Sequence, residues 1–147
     1  MKNIKITPVG KLTYKAQAGD HTWLASEPGP AGPDAAPSPS QLFVSSIGLC
    51  KSMYASLFCE RYKIPLDGFS ITLEYDSDPK TTQVTSLAIT VNFPNALPDE
   101  MKEKFSRFLE KCAVQKAVVE SFPIEVKYAD VAHEDAGKAQ EGLEKDK

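Results

Sequence analysis

Cysteine is scarce in this chain, and its pattern excludes more than it admits. The 147 residues contain Cys50, Cys59 and Cys112, an odd number with no Cys-x-x-Cys pair. That spacing supports neither a disulfide scaffold nor a structural zinc site. The two histidines are no more help: His21 falls in a strand or turn pattern and His133 in a charged C-terminal stretch. Neither joins a His-x-x-x-His pair or a carboxylate cluster, so no metal site is expected. Ser45, Ser46 and Ser52 have no histidine in a hydrolase motif, and Gly29, Gly32 and Gly48 form no phosphate-cradling pattern. Arginine occurs only as Arg61 and Arg107. The net charge of -3 is too mild to favour nucleic acid or an anionic membrane surface. Polar residues interrupt every apolar run before it reaches bilayer length. The start, Met1-Lys2-Asn3-Ile4-Lys5, lacks the apolar core of a signal peptide. The expected compartment is the cytoplasm, where thiols stay reduced.

What is present reads as one domain over 1–131, followed by a charged tail over 132–147 with little to bury and expected to be disordered. Residues 3–26 alternate as strands, with turns at Pro8-Val9-Gly10 and Gly19-Asp20, so an antiparallel meander is expected. Residues 27–39 hold five prolines and two glycines. A loop of that length in a compact domain points to function. A helix then opens sharply: Ser38 suits the N-cap, Pro39 the first helical position, and Gln41 the third, where a capping box wants Glu or Gln. It should run to about Tyr62. Its apolar residues, Leu42 to Phe58, wrap most of the circumference, which belongs in a core; covering it fully calls for a second chain.

Strands over Phe69–Tyr75 and Val84–Phe93 follow, each apolar on one face. A second helix opens at Leu97-Pro98-Asp99-Glu100, carries Met101, Phe105, Phe108, Leu109 and Cys112 at helical spacing, and should continue to about Glu120. Pro123–Tyr128 alternates as a last strand. The order argues for an α+β domain with antiparallel sheet.

Cys50 lies about a dozen residues into the first helix, beyond the reach of that helix's own N-terminus. A reactive Cys50 therefore needs a neighbour to lower its pKa. The plainer reading of a cysteine on an apolar helix is a small buried hydrophobe. Cys59 points to the opposite side of the same helix, and the two cannot bond within one straight helix. Cys112 falls on the core-facing stripe of the second helix, with Gln115 and Lys116 following. Pairing of Cys50 with Cys112 is geometrically allowed and left open by the sequence.

The segment Pro39-Ser40-Gln41-Leu42-Phe43 through Ile47-Gly48-Leu49-Cys50, preceded by the Pro- and Gly-rich loop, resembles the OsmC/Ohr family, named for osmotically inducible protein C and organic hydroperoxide resistance protein. The later Cys112-Ala113-Val114-Gln115-Lys116 falls in register with that family's second cysteine motif. The resemblance covers about residues 3–130 and favours the OsmC-like branch. It implies an intertwined homodimer in which antiparallel sheets wrap long central helices. It also implies a thiol-dependent peroxidase that needs no metal or organic cofactor, with Cys50 as peroxidatic thiolate and Cys112 as resolving thiol, an organic or hydrogen peroxide as substrate and an external thiol as reductant. The hydroperoxide-resistance branch holds its thiolate with a loop arginine and a glutamate at the helix start. Here the loop 27–37 has no arginine, and Ser40 occupies the glutamate position. The cation would then be Lys51, Lys116, Lys11 or Lys15. Two other readings remain: a dimer that binds a small hydrophobic ligand with inert cysteines, and a redox sensor.

Overall fold

The computed structural model describes residues 2–30, 32–93, 97–120 and 122–128. Three strands, β1 (Lys5–Gly10), β2 (Thr13–Ala18) and β3 (His21–Ser26), form an antiparallel meander in the order β1-β2-β3. The second turn falls at Gly19-Asp20, with Gly19 at φ 58°. The first does not fall at Pro8-Val9-Gly10. Those residues belong to β1, and the chain reverses at Lys11-Leu12, with Leu12 left-handed at φ 45°. Because β1 is an edge strand it tolerates a proline with no N–H to give, and the register slips between Pro8 and Gly10 to accommodate it.

Ser26 ends the meander and anchors the proline-rich loop. Its buried hydroxyl donates to the Ala36 carbonyl at 3.0 Å and accepts the N–H groups of Ala35 (3.2 Å) and Ala36 (3.0 Å). Its own N–H donates to the Pro37 carbonyl at 3.2 Å. These bonds fix the point from which helix α1 (Pro39–Tyr62) departs. The expected capping box is formed: the Gln41 N–H donates to Ser38 Oγ at 3.2 Å, and the Ser38 N–H to Gln41 Oε1 at 2.9 Å. The helix stops at Lys63, left-handed at φ 56°, where the Ile64 N–H turns back to the Cys59 carbonyl at 2.9 Å.

The second sheet is the hairpin β4 (Ser70–Ser77) and β5 (Val84–Asn92). Ile71, Leu73 and Tyr75 sit opposite Val91, Ile89 and Leu87, and this half-buried face packs on α1. Contact with α1 is close at Gly48, where a Cβ would lie 2.5 Å from Leu73 Cδ1, so a larger residue there requires the Leu73 side chain to shift. By length and composition α1 could cross a bilayer, contrary to the expectation from interrupted apolar runs. Its packing against β3, β4, β5 and the later helices, with Lys51 buried along it, is that of a core helix.

The second helix is shorter than expected. Helix α2 (Asp99–Leu109) ends eleven residues early, and a separate helix, α3 (Ala113–Val119), takes up the rest. The core lies between α2 and the C-terminal half of α1. Phe58 meets Phe105 edge-on with ring centroids 5.2 Å apart, and Phe105 meets Phe93 at the same distance, over Ala55, Cys59, Leu97 and Leu109.

The strand expected at Pro123–Tyr128 pairs with nothing among the described residues, and Ile124, Val126 and Tyr128 are exposed. An alternating segment becomes a strand only where an edge accepts its hydrogen bonds. The tail expected over 132–147, His133 included, lies outside the described residues.

Candidate active site

The early end of α2 is what builds the site. Past Leu109 the chain makes one tight turn: the Lys111 N–H donates to the Phe108 carbonyl and the Cys112 N–H to the Leu109 carbonyl, both at 3.3 Å. Cys112 then adopts φ -52°, ψ 109° and becomes the N-cap of α3, its sulfur accepting the Gln115 N–H at 3.4 Å. The expectation that Cys112 lies on the stripe of one continuous helix is thus corrected. A residue between two helices has its side chain free to cap the second, and this thiol also reaches the Ile47 carbonyl of α1 at 4.0 Å.

This turn sets the start of α3 over Cys50. From there the backbone N–H groups of Val114 and Ala113 and the Cys112 thiol act on Cys50 in the sense that favours its anion. Both thiols are free, Cys50 half-buried and Cys112 fully buried. Burial pushes the Cys50 thiol up, but the Val114 N–H, the Cys112 thiol, the Ala113 N–H and the Lys51 charge together outweigh it, and its pKa falls below the ordinary value. Cys112 goes the other way: burial raises it, and so do its hydrogen bond to Cys50 and the negative charge there, against the N–H of Gln115. The two thiols are thus shifted in opposite senses, Cys50 toward its anion and Cys112 toward its neutral form. Cys59 is held high by burial in the aromatic core, away from this pair.

Of the four lysines offered as cations, Lys51 is the one whose charge acts on Cys50. It is buried, and its Nζ donates to the Leu109 carbonyl at 3.2 Å. Sequence reasoning named Lys51 among others but missed its anchorage, although a lysine amid Leu49, Met53 and Ala55 was a visible signal. The donation from the start of α3 was missed altogether.

An open groove of about 620 Å³, whose lining includes neither cysteine, is formed by Phe43 and Ile47 of α1, the Thr82–Leu87 stretch of the hairpin and Val118 of α3. Phe43 and Ile47 stand two turns and one turn before Cys50 on the same face of the helix. A second apolar cleft, about 650 Å³, lies under the meander between Ile6, Leu12, Tyr14, Trp23 and Leu42. Among the described residues no group of three or more His, Cys, Asp or Glu side chains is placed to hold a metal ion.

Several solved structures share this architecture. A candidate osmotic stress induced and detoxification response protein from Psychrobacter arcticus 273-4 superposes with a TM-score of 0.72 at 21% identity, covering 80% of this chain and 88% of that one. An OsmC-like protein from Mycoplasma pneumoniae gives 0.64 at 12% identity, covering 82% and 88%. An organic hydroperoxide resistance protein OsmC from Legionella pneumophila gives 0.57 at 18% identity, covering 82% and 90%. At these identities the likeness is one of fold. No curated protein matches the chain. The family model described as OsmC-like protein matches residues 32–127, from the proline-rich loop through both cysteines, and the chain belongs to the OsmC-like family.

Proposed function

We propose that the protein is a thiol-dependent peroxidase acting through Cys50 and Cys112. The observation that carries this reading is the placement of the free Cys112 thiol against the Ile47 carbonyl, one helical turn before the free Cys50 on α1, with the two thiols shifted in opposite senses. The Cys50 thiolate attacks one peroxide oxygen; the S–O bond forms, the O–O bond breaks, and the leaving alkoxide or hydroxide takes a proton to become alcohol or water. Cys50 is oxidised by two electrons to a sulfenic acid. Cys112 then attacks the same sulfur, an S–S bond replaces the S–O bond, and water leaves. An external thiol reduces the disulfide by two exchange steps, which fits a reducing compartment such as the cytoplasm. The groove beside Phe43, Ile47 and Val118 suits the apolar body of an organic hydroperoxide. The family membership and the hydroperoxide-resistance protein among the structural relatives support a peroxide-linked role.

The reading includes a homodimer. Leu49, Met53 and Leu57 form an exposed stripe on α1 beside Cys50, and an apolar stripe of this kind on a core helix calls for cover.

Intact-mass analysis after one equivalent of cumene hydroperoxide tests the chemistry: a loss of about 2 mass units reports the disulfide, and a gain of about 16 in Cys112→Ser reports the sulfenic acid. Cys50→Ser should abolish peroxide-dependent thiol oxidation. Wild-type protein that consumes neither cumene hydroperoxide nor hydrogen peroxide with any dithiol ends this reading. The cleft under the meander then favours a second one, a binding protein for a small hydrophobic ligand, which native mass spectrometry of the purified protein would detect as a bound mass.

A further inference from the structure

Lys51 is out of place on α1 by the ordinary rules of burial. It is 8% exposed, and its ammonium bonds not to a carboxylate but to the carbonyl of Leu109. Taking an ammonium out of water is costly unless its donors are used. Leu109 is the last residue of α2, where carbonyls carry partial negative charge and lack partners within the helix. The same oxygen that accepts Lys51 Nζ at 3.2 Å also accepts the N–H of Cys112 at 3.3 Å. One atom therefore joins the residue next to Cys50 to the backbone of Cys112. The contacts close a ring: Lys51 to the Leu109 oxygen, that oxygen to the Cys112 amide, the Cys112 thiol to the Ile47 carbonyl, and Ile47 back to Lys51 through one turn of α1 that ends beside Cys50.

We propose that Lys51 is the positioning residue of the dithiol site, clamping the α2–α3 junction to α1 so that Cys112 and the N–H groups of Ala113 and Val114 stay aimed at the Cys50 sulfur. The proposal rests on the reading of Cys50 and Cys112 as a working pair and deepens it. A cation anywhere nearby would favour a thiolate; a cation bonded to Leu109 also determines where the second sulfur stands. The groups acting on Cys50 come from two sides, Lys51 from α1, and the Cys112 thiol and the Ala113 and Val114 amides from the junction and α3.

The test uses the full chain and no peroxide, so it reads thiol geometry whether or not the protein is a peroxidase. Lys51→Met removes the ammonium and its hydrogen bond at similar length. Lys51→Gln keeps a donor without the charge. Two quantities are measured: the pH profile of Cys50 alkylation by iodoacetamide, and the rate at which diamide closes the Cys50–Cys112 disulfide at a pH where Cys50 is fully ionised in each variant. In that closure the dithiol gives up two electrons and two protons, and the diazene becomes a hydrazine. Lys51→Met should slow closure about tenfold, Lys51→Gln should slow it less, and the alkylation midpoint should rise in both. Closure at the wild-type rate in the folded variants overturns the proposal, even if their melting temperatures fall, because a purely structural lysine changes stability alone. Should Lys51→Met not fold, Lys51→Gln decides on the same two readouts. If wild type consumes no peroxide while these differences stand, the peroxidase reading falls and the assignment of Lys51 survives.

Discussion

Cys50 becomes an acid through groups that arrive from more than sixty residues downstream. The Val114 and Ala113 amides and the Cys112 thiol each favour its anion over the neutral thiol. Since its folded pKa is lowered, the thiolate population rises earlier as pH rises. Half-maximal alkylation of Cys50 should therefore be reached at a lower pH than for an unperturbed cysteine. Cys59 and Cys112 are shifted upward and should lag. Peptide mapping after brief iodoacetamide treatment at neutral pH should find Cys50 labelled first, and equal labelling of Cys59 would contradict the assignment. Cys112→Ala removes both a donor to Cys50 and the cap of α3, so the Cys50 midpoint should rise and stability should fall by about 1 kcal/mol, read by urea titration.

At the scale of elements, the start of α1 is governed by a short-range code. Ser38, Pro39 and Gln41 satisfy one another's backbone within four residues, so the pattern is visible without tertiary knowledge. Ser38→Ala should cost about 1 kcal/mol, measured by the shift in denaturation midpoint. Strands β4 and β5 were equally legible, because one buried face imposes strict alternation. The break between α2 and α3 was not. No glycine or proline marks it, the apolar spacing runs straight through Leu109 and Cys112, and cysteine is not among the usual capping residues. What stops α2 is tertiary: the Leu109 carbonyl turns to Lys51, a residue 58 positions away. The same limit explains Pro8-Val9-Gly10, turn-forming residues that lie inside edge strand β1 while the chain reverses at Lys11-Leu12. The cysteine pair was thus legible as two positions, while the geometry that relates them depended on a contact no local pattern carries.

At the scale of the whole molecule, substantial apolar surface is exposed among the described residues. Leu49, Met53 and Leu57, exposed by 60%, 66% and 53%, recur every four residues and lie along one side of α1. Phe122, Ile124, Val126 and Tyr128 are exposed as well. A second copy would cover such faces, and Met53→Glu should shift the protein from dimer to monomer in sedimentation velocity. A wild-type monomer at micromolar concentration would rule the dimer out. The position of the two sulfurs in the chain has a mechanical consequence. They lie 62 residues apart in sequence, so a bond between them would tie the unfolded chain into a long loop worth about 4 kcal/mol of chain entropy. Oxidation would therefore act as a reversible staple. The melting temperature of the protein should rise on the order of 10 °C when that bond forms and drop back when a thiol removes it, giving a thermometer for the redox state of the cell that holds it.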